Sequence, residues 1–109
     1  MSSVECCLWF PQVGGPHDKV RIAGIDAAEW EALATWVRQA DLPMLAGVLG
    51  GGLPAGLDRP QLLRLASECA RVDWDRLDGP ALGGFAAFSL FVDTAAQQEG
   101  AEAWFAVEG

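Results

Sequence analysis

A chain of 109 residues that is 51% apolar and carries five tryptophans is long enough for one core and too oily for a disordered segment. Its fifteen acidic side chains face six arginines and one lysine, a net charge of −8, which argues against nucleic acid or an anionic membrane surface as a partner. The longest apolar run, Ala81–Val92, falls short of the roughly 20 residues that a membrane helix requires.

Val4-Glu5-Cys6-Cys7-Leu8-Trp9-Phe10 is rich in strand formers and stops at Pro11, which predicts a first strand. Pro11–Asp18 contains Gly14-Gly15-Pro16 and reads as a connecting loop. Lys19-Val20-Arg21-Ile22-Ala23 then alternates charged and apolar residues with period two, predicting a half-buried strand and a hairpin with a long loop. Asp26 opens the clearest helix. Glu29, three residues on, makes an acidic form of capping box, and Trp30, Leu33, Ala34, Val37 and Ala40 form one apolar stripe. Trp36 falls at the edge of that stripe, and Pro43 closes the element.

Met44–Leu49 predicts a short helix ahead of a glycine-rich turn through Gly56. Asp58 as N-cap, with Pro60 in the first turn, starts a second long helix that ends near Val72 and is striped by Leu62, Leu65, Ala66 and Cys69. Asp73–Asp78 is a charged connector. After Asp78-Gly79-Pro80, the run Phe85–Val92 suits either a buried strand or a buried helix; its alanine-rich continuation to Gln98, with Gly100 beyond, favours helix. Gly83-Gly84 early in it suggests close packing against a neighbour. Glu102–Glu108 predicts a third strand, and the likeness of Leu8-Trp9-Phe10 to Ala103-Trp104-Phe105 suggests that the two strands are neighbours. The expected fold class is α+β. A single domain over residues 1–109 has a small antiparallel sheet of about three strands, in the order β-β-α-α-α-β, covered on one face by three helices.

If Val4, Cys6, Leu8 and Phe10 face the helices, Glu5, Cys7 and Trp9 face away. By the same alternation Ala103, Phe105 and Val107 point in, while Glu102, Trp104, Ala106 and Glu108 join Lys19 and Arg21 outside. Aromatic rings among charges are the usual anchors of protein interfaces. A slip of one residue would exchange the two faces and bury both tryptophans. The partner-binding candidates are therefore Trp9, Trp104, Glu5 and Glu102 on the sheet, and Asp73, Trp74 and Asp75 in the connector, with Trp36 as a further aromatic anchor.

Catalytic groups are scarce: no tyrosine, one histidine, one lysine and three cysteines. Cys7 and His17 make the only nucleophile–base pair that can be drawn, and Cys7 lacks a basic neighbour or helix N-terminus to lower its pKa. Adjacent Cys6 and Cys7 lack the spacer needed to share a zinc ion, and Asp73, Asp75 and Asp78 break the calcium-loop pattern at once. Gly47–Gly52 has neither the lysine nor the hydroxyl residue of a phosphate loop. No cofactor and no metal are expected. Met1–Glu5 lacks the basic start and apolar stretch of a signal peptide, so reduced thiols in a cytoplasm are expected. Alanine, glycine and arginine usage fits a bacterial chain. The function these features favour is a small acidic protein-binding domain of inhibitor, immunity or adaptor type, docking on a basic protein partner. A thiol-dependent enzyme or small-ligand domain using Cys7 and His17, and a structural homodimer joined through the sheet, are the alternatives.

Overall fold

The computed structural model describes residues 3–13, 18–50 and 56–108. The expected turn at Gly14–His17 and most of the glycine-rich turn after Gly50 lie outside the described residues, and with them any pairing of Cys7 with His17.

The expected α+β fold is present. Strands β1 (Ser3–Trp9), β2 (Val20–Asp26) and β3 (Glu102–Glu108) form an antiparallel sheet in the order β2-β1-β3. Among the described residues, four helices run between β2 and β3: α1 (Ala27–Val37), α2 (Pro43–Gly50), α3 (Arg59–Ala70) and α4 (Gly79–Ala96). A 3₁₀ turn, Trp74–Arg76, joins the last two. The ambiguous run at 85–92 is helical, within an 18-residue helix. No helix among the described residues is long and apolar enough to cross a membrane.

Sheet phase follows from the alternation of β1. Val4, Cys6 and Leu8 are buried, and their partners Ile25 on β2 and Phe105 and Ala103 on β3 are buried with them. β2 runs three residues past the expected Ala23, because Gly24 and Ile25 keep pairing with Glu5 and Val4. Its register shifts opposite Cys6 and Cys7, where Ala23 and Arg21 are the partners and Ile22 is the extra residue of a bulge. The outer edge of β3 is partly covered: Leu57 and Ala103 exchange two backbone hydrogen bonds of 2.9 and 3.0 Å.

α1 and α4 lie on the inner face of the sheet and against each other, and α2 and α3 pack behind them. Their meeting point is aromatic. Phe105 of β3 stacks on Phe88, with centroids 5.7 Å apart, and touches Phe91 and Trp30 at 5.5 and 5.7 Å. The close approach expected of Gly83-Gly84 is also present. A Cβ on Gly84 would lie 2.8 Å from the Glu29 carbonyl oxygen, so glycine is what lets α4 reach the backbone of α1. Glu29 does not complete a capping box; its carboxylate leans on Gly83, and Asp26 alone caps α1 through Ala28 N–H at 2.8 Å. At α3 the reciprocal box is complete, Asp58 with Gln61.

Helix α2 is capped from elsewhere in the chain. It begins at Pro43, and the next two backbone N–H groups, of Met44 and Leu45, donate to the Glu68 carboxylate of α3 at 3.1 and 2.7 Å. Two orphan donors and the positive end of the helix dipole thus meet one buried carboxylate. Glu68→Ala should cost roughly 2–3 kcal/mol in urea unfolding, since charged hydrogen bonds are lost and buried N–H groups left bare. Glu68→Gln keeps an acceptor and should cost about half as much; equal stability of all three proteins would remove Glu68 as the cap.

Candidate functional site

The outer face of the sheet carries the first group of expected residues. Glu5, Cys7 and Trp9 alternate with the buried residues of β1 and stand opposite Ala106, Trp104 and Glu102 of β3. Trp9 and Trp104 are diagonal neighbours, with ring centroids 5.9 Å apart and planes at 78°, an edge-to-face pair. Both are half-buried. The phase with tryptophans outside is the one the chain adopts.

Trp104 packs close against Gly56. Gly56 has a φ of +82°, and a Cβ there would lie 2.9 Å from the Trp104 ring and 2.6 Å from Glu102 Oε1. Over the rings is Lys19, whose Nζ lies 4.3 Å from the Trp104 centroid and 5.9 Å from that of Trp9. The Nε1–H of Trp104 is buried and finds no hydrogen-bond acceptor among the described residues.

Glu5 departs from the expectation of an exposed charge. It is only 7% exposed although it points out of the sheet. Its neighbours Gly24 and Ala106 are too small to hold it off the surface, and the Arg21 guanidinium, lying across Gly24, pairs with its carboxylate. A shallow depression of about 270 Å³ is lined by Glu5, Cys7, Lys19, Arg21 and Ala106. The outer face is therefore mixed in charge, with two cations set among its carboxylates.

The second group lies elsewhere. Trp74, in the 3₁₀ turn, packs edge-on against buried Phe85 of α4 at 4.8 Å and is still 48% exposed. Asp73 caps its own turn through Asp75 N–H at 3.0 Å and sits 4.0 Å from Arg76. Trp74 also closes a groove between α3 and α4 lined by Ala66, Cys69, Ala70, Phe85, Ser89 and Asp93. Asp73, Trp74 and Asp75 thus belong to the helical side of the protein and do not share a surface with Trp9 and Trp104. Trp36 is half-buried against the core. Sequence reasoning missed Leu82 and Leu90, exposed on α4, because a helix with so few polar residues gives little sign of which side meets solvent.

The thiols divide by face. Cys6 points inward, Cys69 is buried on α3, and Cys7 is half-buried on the outer face. Burial, reinforced by Cys7 and Glu5 and opposed by Arg21, pushes the Cys6 thiol up to about 12. Burial, with Asp93 and Glu68 adding to it, does the same for Cys69. Neither is a nucleophile at neutral pH. The described residues hold no cluster of three or more histidine, cysteine, aspartate or glutamate side chains able to bind a metal.

Comparison with known proteins adds no relative: no family model, no curated protein and no solved structure matches this chain.

Gly56→Ala should destabilise the protein by about 1–3 kcal/mol, through the left-handed backbone and the collision with Trp104, and should shift the tryptophan emission; wild-type stability and emission would contradict the close packing of Trp104 on Gly56. The two buried thiols also make alkaline stability predictable. Their pKa values are raised above the ordinary 9.0, so the unfolded chain loses these protons first and stability, full below pH 9, should fall as pH rises towards about 12. The slope is at most ~1.4 kcal/mol per pH unit for each thiol. Replacing Cys69 by alanine should remove its share, as read from urea midpoints across that range.

Proposed function

We propose that this chain is a small acidic protein-binding domain, of inhibitor, immunity or adaptor type, that acts through contact with a basic protein partner and not through catalysis. The observation that carries the reading is the pair of half-buried tryptophans on a sheet face that is turned away from all four helices. Rings fixed by a rigid sheet lose little entropy on docking and supply much contact area, which is why tryptophan dominates interface hot spots. Exposed Trp74, between Asp73 and Asp75, offers a second contact on the helical side. A charge of −8 would steer a basic partner in and repel nucleic acid and anionic lipid. Three cysteines present as thiols suit a reducing compartment such as the cytoplasm.

A second reading, a homodimer joined through the sheet, is favoured by β2, an edge strand whose Val20 and Ile22 are 53% and 45% exposed. Against it stand the bulge at Ile22 and the charge of Arg21, both of which discourage edge pairing.

The test begins with the wild-type chain immobilised at low salt, and the protein it retains from its native cell extract identified and purified. Its affinity should weaken about tenfold or more for Trp9→Ala, and again on raising salt from 50 to 500 mM. An affinity indifferent to both Trp9→Ala and Asp75→Asn would overturn the reading. A chain of doubled mass by light scattering, with Val20→Lys restoring the monomer, would install the homodimer instead.

A further inference from the structure

The two rings of the outer face meet at nearly a right angle, and the corner between them holds the ammonium of the chain's one lysine. We infer that this corner is a cation site occupied in the isolated chain by its own Lys19, and that its external ligand is a methylated ammonium side chain on the protein partner. This inference rests on the protein-binding reading above.

Three features support a site over a simple surface contact. The first is the pair of walls. The electron-rich faces of tryptophan are the strongest aromatic cation acceptors, and two at right angles approach a cation from two sides at once. One wall, Trp104, is half-buried and packed close against Gly56. The second is the charge nearby. Glu102 stands opposite Trp9 in the sheet and sets a carboxylate next to the corner. The third is the occupant. Lys19 precedes β2 and takes no part in the strand ladder, which begins at Val20, so the occupant of the corner is a side chain at the end of a strand and not a residue of the sheet itself.

The identity of the ligand follows from competition. An incoming primary ammonium replaces one already there and gains nothing at the rings. A methylated ammonium is larger and less hydrated; it gives up less solvation on entering and competes better for the rings than a primary ammonium does. Lys19 therefore acts as a filter. While it is present the corner admits methylated cations in preference to plain lysine, and without it both can enter.

The test is a titration of the full chain followed by tryptophan emission and by the indole N–H signals of Trp9 and Trp104. Tetramethylammonium chloride is compared with sodium chloride at equal ionic strength. Tetramethylammonium should perturb both rings where sodium does not, Lys19→Gln should tighten its binding about tenfold, and Trp9→Leu should abolish it. A short basic peptide carrying one trimethyl-lysine should bind more tightly than the same peptide with lysine, and the difference should shrink in Lys19→Gln. Equal responses to the two salts in both proteins, or no gain in Lys19→Gln, would overturn the site. A response to tetramethylammonium with no preference between the peptides would overturn the partner-borne ligand and leave a small free cation in its place. No natural partner is present in these titrations, so their failure is separable from a failure of the protein-binding reading.

Discussion

Phe105 stands where the sheet meets both of the helices that lie on it, with rings of Trp30, Phe88 and Phe91 within 5.5–5.7 Å of its own. Much of the rest depends on that junction. A strand side chain can be shared by two helices only if its whole strand is phased to present it, and the phase then dictates the facing of every neighbour. With Phe105 inside, Trp104 must be outside. With Cys6 opposite Phe105, Cys7 and Trp9 must be outside as well. The aromatic pair on the open face is thus the complement of the aromatic cluster in the core.

The open face carries less negative charge than the composition suggests. Several acidic residues are occupied at helix starts, where Asp26 and Asp58 accept from backbone N–H groups, and Glu68 does so for a helix other than its own. Glu5 is paired with Arg21. A strongly acidic chain can therefore display a sheet face on which cations are already seated. Recognition there turns on exchanging one cation for another, which favours selectivity more than raw attraction.

Much of the fold was legible because it is written in short-range pattern. Strand-forming composition marked β1 and left its facing open between two phases, of which burial of Val4, Cys6 and Leu8 decides one, and Asp58 with Pro60 marked the start of α3. The likeness of Leu8-Trp9-Phe10 to Ala103-Trp104-Phe105 foretold neighbouring strands. What escaped was long-range. The extension of β2 through Gly24 and Ile25 depends on partners on β1, and glycine weakens any local strand signal. Trp9 and Trp104 were recognisable as outer-face residues, but their contact with each other and with Lys19 depends on register across nearly a hundred residues. The burial of Glu5 follows from small neighbours on two other strands. Trp74 was placed correctly in the connector, yet nothing local said that its ring would lean on Phe85 and so belong to the opposite side of the molecule.

The Glu68 cap has a consequence in time as well as in space. Eight residues, two of them glycine, are too few for a helix to persist alone in water. Helix α2 also begins with a proline and draws its N-terminal acceptor from a residue more than twenty positions further along the chain. Its formation must therefore wait for α3, and the two order together in folding. When the native state opens locally, loosening the first turn of α3 need not disturb α2, but losing its last turn must. Protection of the α2 amides against exchange is thus borrowed from the C-terminal half of α3. One carboxylate joins two helices into a single cooperative unit.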